Sequence, residues 1–301
     1  MAFEKLLGNE VIKNLLSNAI ETNHLLHSYL FVGNDGIGKS LFAKEFSKMI
    51  LCFSETDKPC HECKSCKEFE GESHPDFLQI DSEDGKTIKI EQIRFLQGKI
   101  AEKPVTSAKK VYIINDCDLM TREAANSLLK TLEEPPTYAI LILITTNESK
   151  LLATIRSRCT KIAFLPVSDA EIRQYLSKYE LEENMTDNMI KQCNGSIGRA
   201  IKIQSEKENY RQVEEVVKSL EKDNITQIWK KAEVFYKEKD KILDLLDYTN
   251  VVLYDLFGIK QKANYLKAIP IVETVKKRIL ANANYDMSID YLLLKLWEEF
   301  A

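Results

Sequence analysis

Residues 33–40, GNDGIGKS, have the composition and spacing of a phosphate-binding loop. Glycines allow backbone N–H groups to surround phosphate oxygens, the lysine neutralises β- and γ-phosphate charge, and the hydroxyl that follows holds Mg²⁺. An apolar run precedes the loop and a helical pattern follows it, so a helix N-terminus would also face the anion. The pattern indicates a nucleotide-binding ancestry with ATP or ADP and Mg²⁺ as the ligand, although a glycine-rich turn without ligand remains the alternative. The candidate binding residues are Gly33, Gly36, Gly38, Lys39 and Ser40.

The acidic partner that a hydrolysing nucleotide site requires is altered in this chain. Such a site needs an apolar strand ending in Asp, which organises Mg²⁺, followed by Glu, which activates water. The candidate strand, 111–114, ends instead in Asn115 and Asp116. Asparagine is a neutral ligand, and the aspartate side chain is one methylene too short to take the place of glutamate. We therefore expect no efficient hydrolysis, and Asp116 is either a weak Mg²⁺ ligand or a solvated strand-end acid.

Four of the seven cysteines fall within residues 52–66 with the spacing C-x7-C-x2-C-x2-C. Four thiolates at these intervals can close a tetrahedral shell around Zn²⁺, and a closed shell leaves no position for a catalytic water. The pattern predicts a structural zinc module at 52–66, with reduced free thiols as the alternative and with His61 and His74 as unneeded substitute ligands. The predicted ligands are Cys52, Cys60, Cys63 and Cys66.

Length and charge limit the remaining possibilities. The chain has 301 residues, enough for two or three domains, and its formal net charge is −4. Bulk charge therefore gives no help in binding nucleic acid, so any DNA contact needs a local patch or a basic partner. We see neither a signal peptide nor an apolar run of membrane-spanning length, which predicts a cytoplasmic protein without a membrane contact.

The hydrophobic pattern divides the chain into three predicted parts. Residues 1–166 alternate strand-like runs with amphipathic helices, which predicts a parallel sheet covered by helices. Residues 167–206 and 207–301 contain helical patterns only, so the predicted fold class is α/β followed by all-α. The predicted strands are 29–32, 77–80, 111–114, 140–145 and 161–164, and the predicted helices of the first part are 10–23, 39–51, 91–102 and 122–134.

The motifs resemble those of the bacterial DNA polymerase III clamp-loader subunits of the AAA+ class. The resemblance rests on HSYLF at 27–31 before the phosphate loop, the four-cysteine insertion, AANSLLKTLEEPP at 124–136 and SRC at 157–159. It is strong over residues 1–205 and weaker beyond. It implies an AAA+ phosphate-loop module, a helical lid at 167–206 and a helical collar at 207–301.

Two branches of that family, tau/gamma and delta-prime, share these motifs. Asn115-Asp116, a chain of about 300 residues and GSIGRA at 195–200 resemble the delta-prime branch. The intact phosphate loop is shared with tau/gamma and is lost in some delta-prime subunits, which leaves passive nucleotide binding open.

The resemblance also implies roles for three further residues. Arg158 of the SRC motif matches the arginine finger that is offered to the nucleotide of a neighbouring subunit, because a guanidinium stays charged and presents a rigid fork to phosphate oxygens. Arg199 matches a lid arginine that touches nucleotide bound by the same chain. Asn147 follows the fourth strand, where the family places a polar residue that senses the γ-phosphate. A surface ion pair for Arg158 and a strand-end hydrogen bond for Asn147 are the alternatives.

The implied function is that of a structural arm, without independent ATPase activity, within the DNA polymerase III holoenzyme, a nucleotidyltransferase assembly. Its partners would be tau/gamma and delta in a hetero-pentamer that places the sliding clamp on primer-template DNA. A collar of this kind predicts exposed apolar residues on the helices after 207. A tau/gamma-like motor and a stand-alone regulator or repair factor are the alternatives, whereas a zinc-dependent DNA-binding module is disfavoured because the cluster lacks a basic recognition helix.

Overall fold

The computed structural model describes residue 3 and residues 6–82, 85–181 and 183–300. The chain separates into two compact units. The first comprises residues 1–171 with 196–198, and the second comprises 172–195 with 199–301. Within the described residues, no helix combines the length and the apolar character that a membrane span requires.

The first unit is built on a five-stranded parallel sheet with the strand order β2-β3-β4-β1-β5. The two neighbours of β1, β4 and the edge strand β5, fix its register, since Phe31 lies beside Ile144 on one side and Ile162 on the other. All five predicted strands and their parallel arrangement are confirmed, and no strand end differs from its prediction by more than one residue. The strands are β1 Ser28–Val32, β2 Phe77–Ile80, β3 Lys110–Ile114, β4 Ala139–Thr145 and β5 Thr160–Ala163.

Strand β4 shows why these runs are continuously apolar. Its side chains alternate between the two faces, and both faces are buried. Leu141 and Leu143 pack in a core that includes residues of helices α4 and α5, whereas Ile142 packs in the opposite core with residues of α1 and α2. The covering helices are α1 Glu10–Glu21, α2 Lys39–Leu51, α3 Lys64–Glu70, α4 Ile90–Ala101, α5 Arg122–Glu133 and α6 Ala153–Arg156.

Helix α5 begins where the sequence predicts and ends one residue earlier than predicted. The Thr121 hydroxyl accepts a hydrogen bond from the Ala124 N–H at 3.2 Å, which is the predicted N-cap. The helix ends at Glu133, shortly before Pro135 and Pro136, which cannot continue it. Glu133, the last residue of this helix, lies at the surface.

The second unit is helical, and the described residues after Ala163 contain no strand, as predicted. The apolar stripe predicted on α13, exemplified by Leu245, Val252 and Leu256, is buried. The helices are α7 Asp169–Lys178, α8 Asp187–Gln192, α9 Ile197–Ser205, α10 Lys207–Ser219, α11 Ile225–Lys231, α12 Glu233–Lys237, α13 Ile242–Lys260, α14 Ala263–Leu280 and α15 Tyr285–Phe300. The separation of this helical part into lid and collar stays a prediction.

A buried carboxylate joins three elements of the second unit. Glu214 of α10 is only 4% exposed. It accepts hydrogen bonds from the Thr186 hydroxyl at the start of α8, at 2.6 Å, and from the Tyr248 hydroxyl of α13. Lys218, one turn further along α10, lies 2.6 Å from the second carboxylate oxygen. Every charge and donor around this group is therefore supplied from within the unit.

The helices after residue 207 also expose large apolar side chains. Tyr254, Ile259, Leu280 and Met287 are 64–71% exposed. The expected exposed apolar residues are thus present, and their use as an assembly surface stays a prediction.

Candidate nucleotide site and cysteine cluster

The phosphate loop connects the end of β1 to the start of α2 and leaves its N–H groups free. No backbone N–H from residue 34 to residue 40 makes a well-aligned hydrogen bond within the described part of the chain, although a tight turn at residues 35–36 brings the Ile37 N–H near the Asn34 carbonyl. Gly36 and Gly38 have φ values of 70° and 97°, which side chains other than glycine seldom adopt. A run of unpaired N–H groups at the start of a helix attracts an anion. The loop has the geometry that phosphate binding requires, and its use as a nucleotide site stays a prediction.

Lys39 lies within this loop. The residue is 5% exposed, and its Nζ donates to the carbonyl oxygens of Gly33 at 2.8 Å and Asn34 at 2.7 Å. Burial lowers the pKa of Lys39, and the nearby carboxylates of Asp35, Asp116 and Asp118 act in the opposite direction. The lysine and the acids at the end of β3 therefore share one site, as the sequence predicts.

Asn115 occupies the position directly after β3. Its side-chain amide nitrogen donates to Asp81 Oδ1 at 2.6 Å, whereas its amide oxygen is buried without a hydrogen-bond partner. A buried acceptor without a donor needs a water or a cation. This orphaned oxygen and the hydroxyl of Ser40, the second residue of α2, are both of the oxygen type that Mg²⁺ binds. The sequence reasoning missed Asp81, although it follows β2, whose carboxyl end lies beside that of β3.

Asp116 and Asp118 have different surroundings. Partial burial and the charges of Asp118 and Asp35 raise the pKa of Asp116, against the opposing charge of Lys39. Asp118 Oδ1 accepts a 2.6 Å hydrogen bond from the Thr145 hydroxyl at the end of β4. Asp118 is therefore engaged in joining two strand ends, and Asp116 is the carboxylate whose charge a bound cation would stabilise.

The Asn147 side chain caps a short turn in this structure. Its Oδ1 accepts hydrogen bonds from the Ser149 N–H at 3.1 Å and the Ser149 hydroxyl at 2.6 Å. These bonds use the amide oxygen and not the amide nitrogen that could donate to a phosphate, and the sensing role stays a prediction. Arg199 belongs to the second unit, and its predicted contact with nucleotide also stays a prediction.

Arg158 lies at the surface of the first unit, between α6 and β5. Its Nη2 donates to Glu133 Oε1 at 2.6 Å and its Nη1 donates to the Thr154 carbonyl at 2.9 Å. The side chain is 33% exposed and that of Glu133 is 50% exposed. The guanidinium is thus held in one position by a solvated carboxylate, a contact that the sequence could not reveal because 25 residues separate the two.

The four predicted zinc ligands come together. Their sulfur atoms all lie within 4.8 Å of one another, and Cys52 Sγ is 3.6 Å from Cys60 Sγ. Tetrahedral Zn–S bonds of about 2.3 Å place sulfur atoms roughly 3.8 Å apart. Backbone N–H groups of Cys60, Cys63 and Cys66 each point at a preceding cysteine sulfur at 3.4 Å. The donor set and its spacing fit a structural zinc ion.

The two histidines considered as substitute ligands lie elsewhere. His61 Nδ1 is 3.0 Å from Glu70 Oε1, and His74 Nε2 is 2.9 Å from the Ser65 hydroxyl. Ser65, between two of the cysteines, also donates to the Leu51 carbonyl at 2.7 Å. This hydroxyl therefore ties the cysteine segment to the end of α2 and to His74. Sequence spacing carries no signal for such a contact.

Comparison with known proteins places these features in a family. A family described as "DNA polymerase III, delta subunit" matches residues 8–168. The delta' subunit of DNA polymerase III from Bacillus subtilis is 33% identical over 95% of this chain and 95% of its own length. The tau/gamma subunit from Haemophilus influenzae is 38% identical over 184 residues, which are 61% of this chain but 26% of that protein. The chain thus spans about a quarter of this tau/gamma relative.

A solved structure has the same fold. The gamma subunit-related protein of DNA polymerase III from Thermotoga maritima superimposes with a TM-score of 0.50 at 19% identity, covering 95% of this chain and 99% of that one. The predicted fold class, an AAA+ phosphate-loop module followed by helices, is confirmed.

Proposed function

Because the chain belongs to the DNA polymerase III delta-prime family of clamp-loader subunits, we propose that it is a structural arm of a clamp loader. It binds nucleotide passively and offers Arg158 to the ATP of an adjacent tau/gamma subunit. The observation that carries the proposal is the end of β3, where Asn115, hydrogen-bonded to Asp81 at 2.6 Å, stands where a hydrolysing site needs a carboxylate. Such a site can hold a nucleotide without turning it over.

The ligand of this site is ATP or ADP with Mg²⁺. The free N–H groups of residues 34–40 support phosphate binding, and Lys39 would leave its two loop carbonyls for phosphate oxygens. When bound, the metal would neutralise phosphate charge, with the Ser40 hydroxyl and the Asn115 amide oxygen as its protein ligands. Zn²⁺ on the four cysteines would have a structural role only.

The position of Arg158 supports a role in trans. Its guanidinium is partly exposed, and its one carboxylate partner, Glu133, is solvated, while a carbonyl and, at 3.5 Å, the Ser157 hydroxyl accept from the other nitrogen; a phosphate group from a neighbour can therefore replace Glu133 at little cost. Arginine suits this exchange because it stays charged and binds phosphate oxygens with two parallel N–H groups.

The partners are tau/gamma and delta subunits in a hetero-pentamer located in the cytoplasm, without a membrane contact. The sliding clamp and primer-template DNA are engaged through the complex. Exposed Tyr254, Ile259, Leu280 and Met287 support assembly through the helices of a collar at 207–301, preceded by a lid at 167–206.

Reconstitution tests this assignment. The chain is mixed with tau/gamma and delta subunits and the mass of the product is measured by native mass spectrometry. We expect one copy of this chain in a five-subunit complex. A chain that stays free in the presence of both partners would refute the proposal.

A tau/gamma-like motor is the second candidate function. The complete phosphate loop and the 38% identity to a tau/gamma subunit favour it. Steady-state ATP turnover by the isolated chain separates the two candidates, with Lys39→Ala as the control for contaminating activity. DNA-stimulated turnover that Lys39→Ala abolishes would establish the motor, and turnover no greater than that of Lys39→Ala supports the passive arm.

A further inference from the structure

Gly198 touches the phosphate loop directly. Its backbone N–H donates to the Gly36 carbonyl at 2.9 Å, and residues 196–198 belong to the same compact unit as the loop. A Cβ atom added at Gly198 would lie 2.9 Å from Gly36 Cα and 3.1 Å from Gly36 O. Both atoms are backbone, so neither can rotate away as the end of a side chain could.

This hydrogen bond determines where the next N–H points. In a trans peptide the C=O and N–H groups point in opposite directions. Holding the Gly36 carbonyl towards Gly198 therefore directs the Ile37 N–H away from Gly198. Among the described residues the Ile37 N–H makes no well-aligned hydrogen bond, since the turn at residues 35–36 offers it only a poorly aligned Asn34 carbonyl.

The other end of the loop is also restrained. A Cβ at Gly33 would lie 2.5 Å from Ile37 Cδ1 and 3.0 Å from Phe164 Cβ. The Ile37 side chain is buried, and its Cδ1 atom lies against Gly33. The Gly36–Ile37 peptide is thus held at two points. The buried side chain of Ile37 anchors its nitrogen end, and the hydrogen bond from Gly198 anchors its carbonyl group.

We propose that Gly198 is a positioning residue of the nucleotide site: its N–H orients the Gly36–Ile37 peptide so that the Ile37 N–H can bind a phosphate oxygen of a nucleoside di- or triphosphate. The proposal rests on the nucleotide binding proposed above. Glycine is required because the approach of the two backbones leaves no room for a Cβ, although alanine is the better helix former at the start of α9. The residue acts on the loop and does not itself contact the ligand.

A pair of glycine substitutions tests it. Gly198→Ala introduces the clash, whereas Gly98→Ala, in α4 of the same unit, adds a Cβ with no other heavy atom within 4 Å. Affinity for a fluorescent ADP analogue is measured by titration for both variants and the parent. We expect Gly198→Ala to lose roughly tenfold in affinity, as for one weakened charge-assisted hydrogen bond, and Gly98→Ala to match the parent. Equal affinities for the two variants would overturn the proposal.

A measurement on the unsubstituted chain keeps the test independent of variant folding and of nucleotide binding. Gly198 is the second residue of α9, where an N–H has no partner within the helix. The rate of hydrogen exchange at the Gly198 amide therefore reports whether the hydrogen bond to the Gly36 carbonyl forms. We expect strong protection of the Gly198 amide, and exchange at the rate of an unprotected amide would overturn the proposal. Failure of the parent to bind ADP would refute nucleotide binding, while this exchange measurement would still show whether Gly198 holds the Gly36 carbonyl.

Discussion

Asn115 shows how one atom changes the chemistry of a nucleotide site. Its amide nitrogen donates to Asp81 and its amide oxygen is left without a donor. A carboxylate at the same position would place two negative charges at hydrogen-bonding distance. The asparagine therefore removes a catalytic ligand and also removes a repulsion.

We predict that Asn115→Asp destabilises the chain by about 1 kcal/mol at pH 8, a modest value because Asp81 is exposed to solvent. Repulsion raises the pKa of the pair above its value in the unfolded chain. The penalty is therefore present at neutral and high pH and decreases as the pH falls and one carboxyl is protonated. Urea unfolding at pH 8 and pH 5 measures it, and Asn115→Ala, which lacks the charge, should show the smaller pH dependence. Equal stability of Asn115→Asp and the parent at pH 8 would contradict the prediction.

Local motifs reveal only some of the site residues. The phosphate-loop residues and the four cysteines could be predicted because each set lies within a short segment of fixed spacing. Asp81, Glu133 and Gly198 could not, since each acts on a residue at least 25 positions away through the tertiary fold. The SRC motif at 157–159 identifies Arg158, but nothing in the sequence indicates its ion pair with Glu133.

Among the elements, the cysteine segment is the one that a bound zinc ion would stabilise most. It comprises the short helix α3, which follows Cys63, and a loop whose sulfur atoms converge. A helix of seven residues is marginal by itself, and the Ser65 contacts help to hold it in place, as the proposed zinc ion would. Its brevity also explains why the hydrophobic pattern predicts the longer helices but not α3.

We expect one zinc ion per chain and its loss in Cys63→Ser, because three thiolates bind zinc less tightly than four. Elemental analysis of protein purified without chelator measures the zinc content, and thermal melting should show the first unit destabilised. The control is Cys193→Ser, a buried cysteine of the second unit whose Sγ donates to the Met189 carbonyl at 3.1 Å, as a serine hydroxyl can. The parent protein found without metal would contradict the prediction.

Glu214 joins α8, α10 and α13 of the second unit. Burial acts to raise the pKa of Glu214, but hydrogen bonds from Lys218, Thr186 and Tyr248 offset it and leave the pKa below its usual value. The ionised group therefore stabilises the fold at pH values above the unfolded pKa, and this contribution is lost as the pH falls through the folded pKa.

We predict that Glu214→Gln costs about 1–3 kcal/mol at pH 7, because it removes hydrogen bonds to a buried charged group. The difference from the parent should begin to shrink as the pH falls below the ordinary glutamate pKa of about 4.3, and should shrink further as the pH falls through the lowered pKa of the folded carboxyl. Urea unfolding across this range measures the effect. A difference that is independent of pH would show that the charge of Glu214 does not contribute.

At the scale of the whole molecule, the order of strands and helices could be read from hydrophobic periodicity. The continuous apolar run of β4 predicts a strand buried on both faces, and the stripe on α13 predicts a helix with one buried face. The surfaces used in assembly could not be read in this way. Exposed Tyr254 or Ile259 has the same periodicity as a core residue, and only the fold shows that it faces outward.

The proposed function requires that this chain contributes the Arg158 guanidinium to the nucleotide of a neighbouring subunit and does not hydrolyse nucleotide in its own site. Steady-state ATP turnover by the reconstituted loader tests it, with Arg158→Ala in this subunit and Arg156→Ala, an exposed arginine two residues away, as the matched control. A finger contributes on the order of 10³ or more to kcat at the site it serves. We therefore predict that Arg158→Ala removes that site's share of turnover from an intact complex, whereas Arg156→Ala leaves the rate unchanged. Undiminished turnover by a fully assembled Arg158→Ala loader would contradict the account.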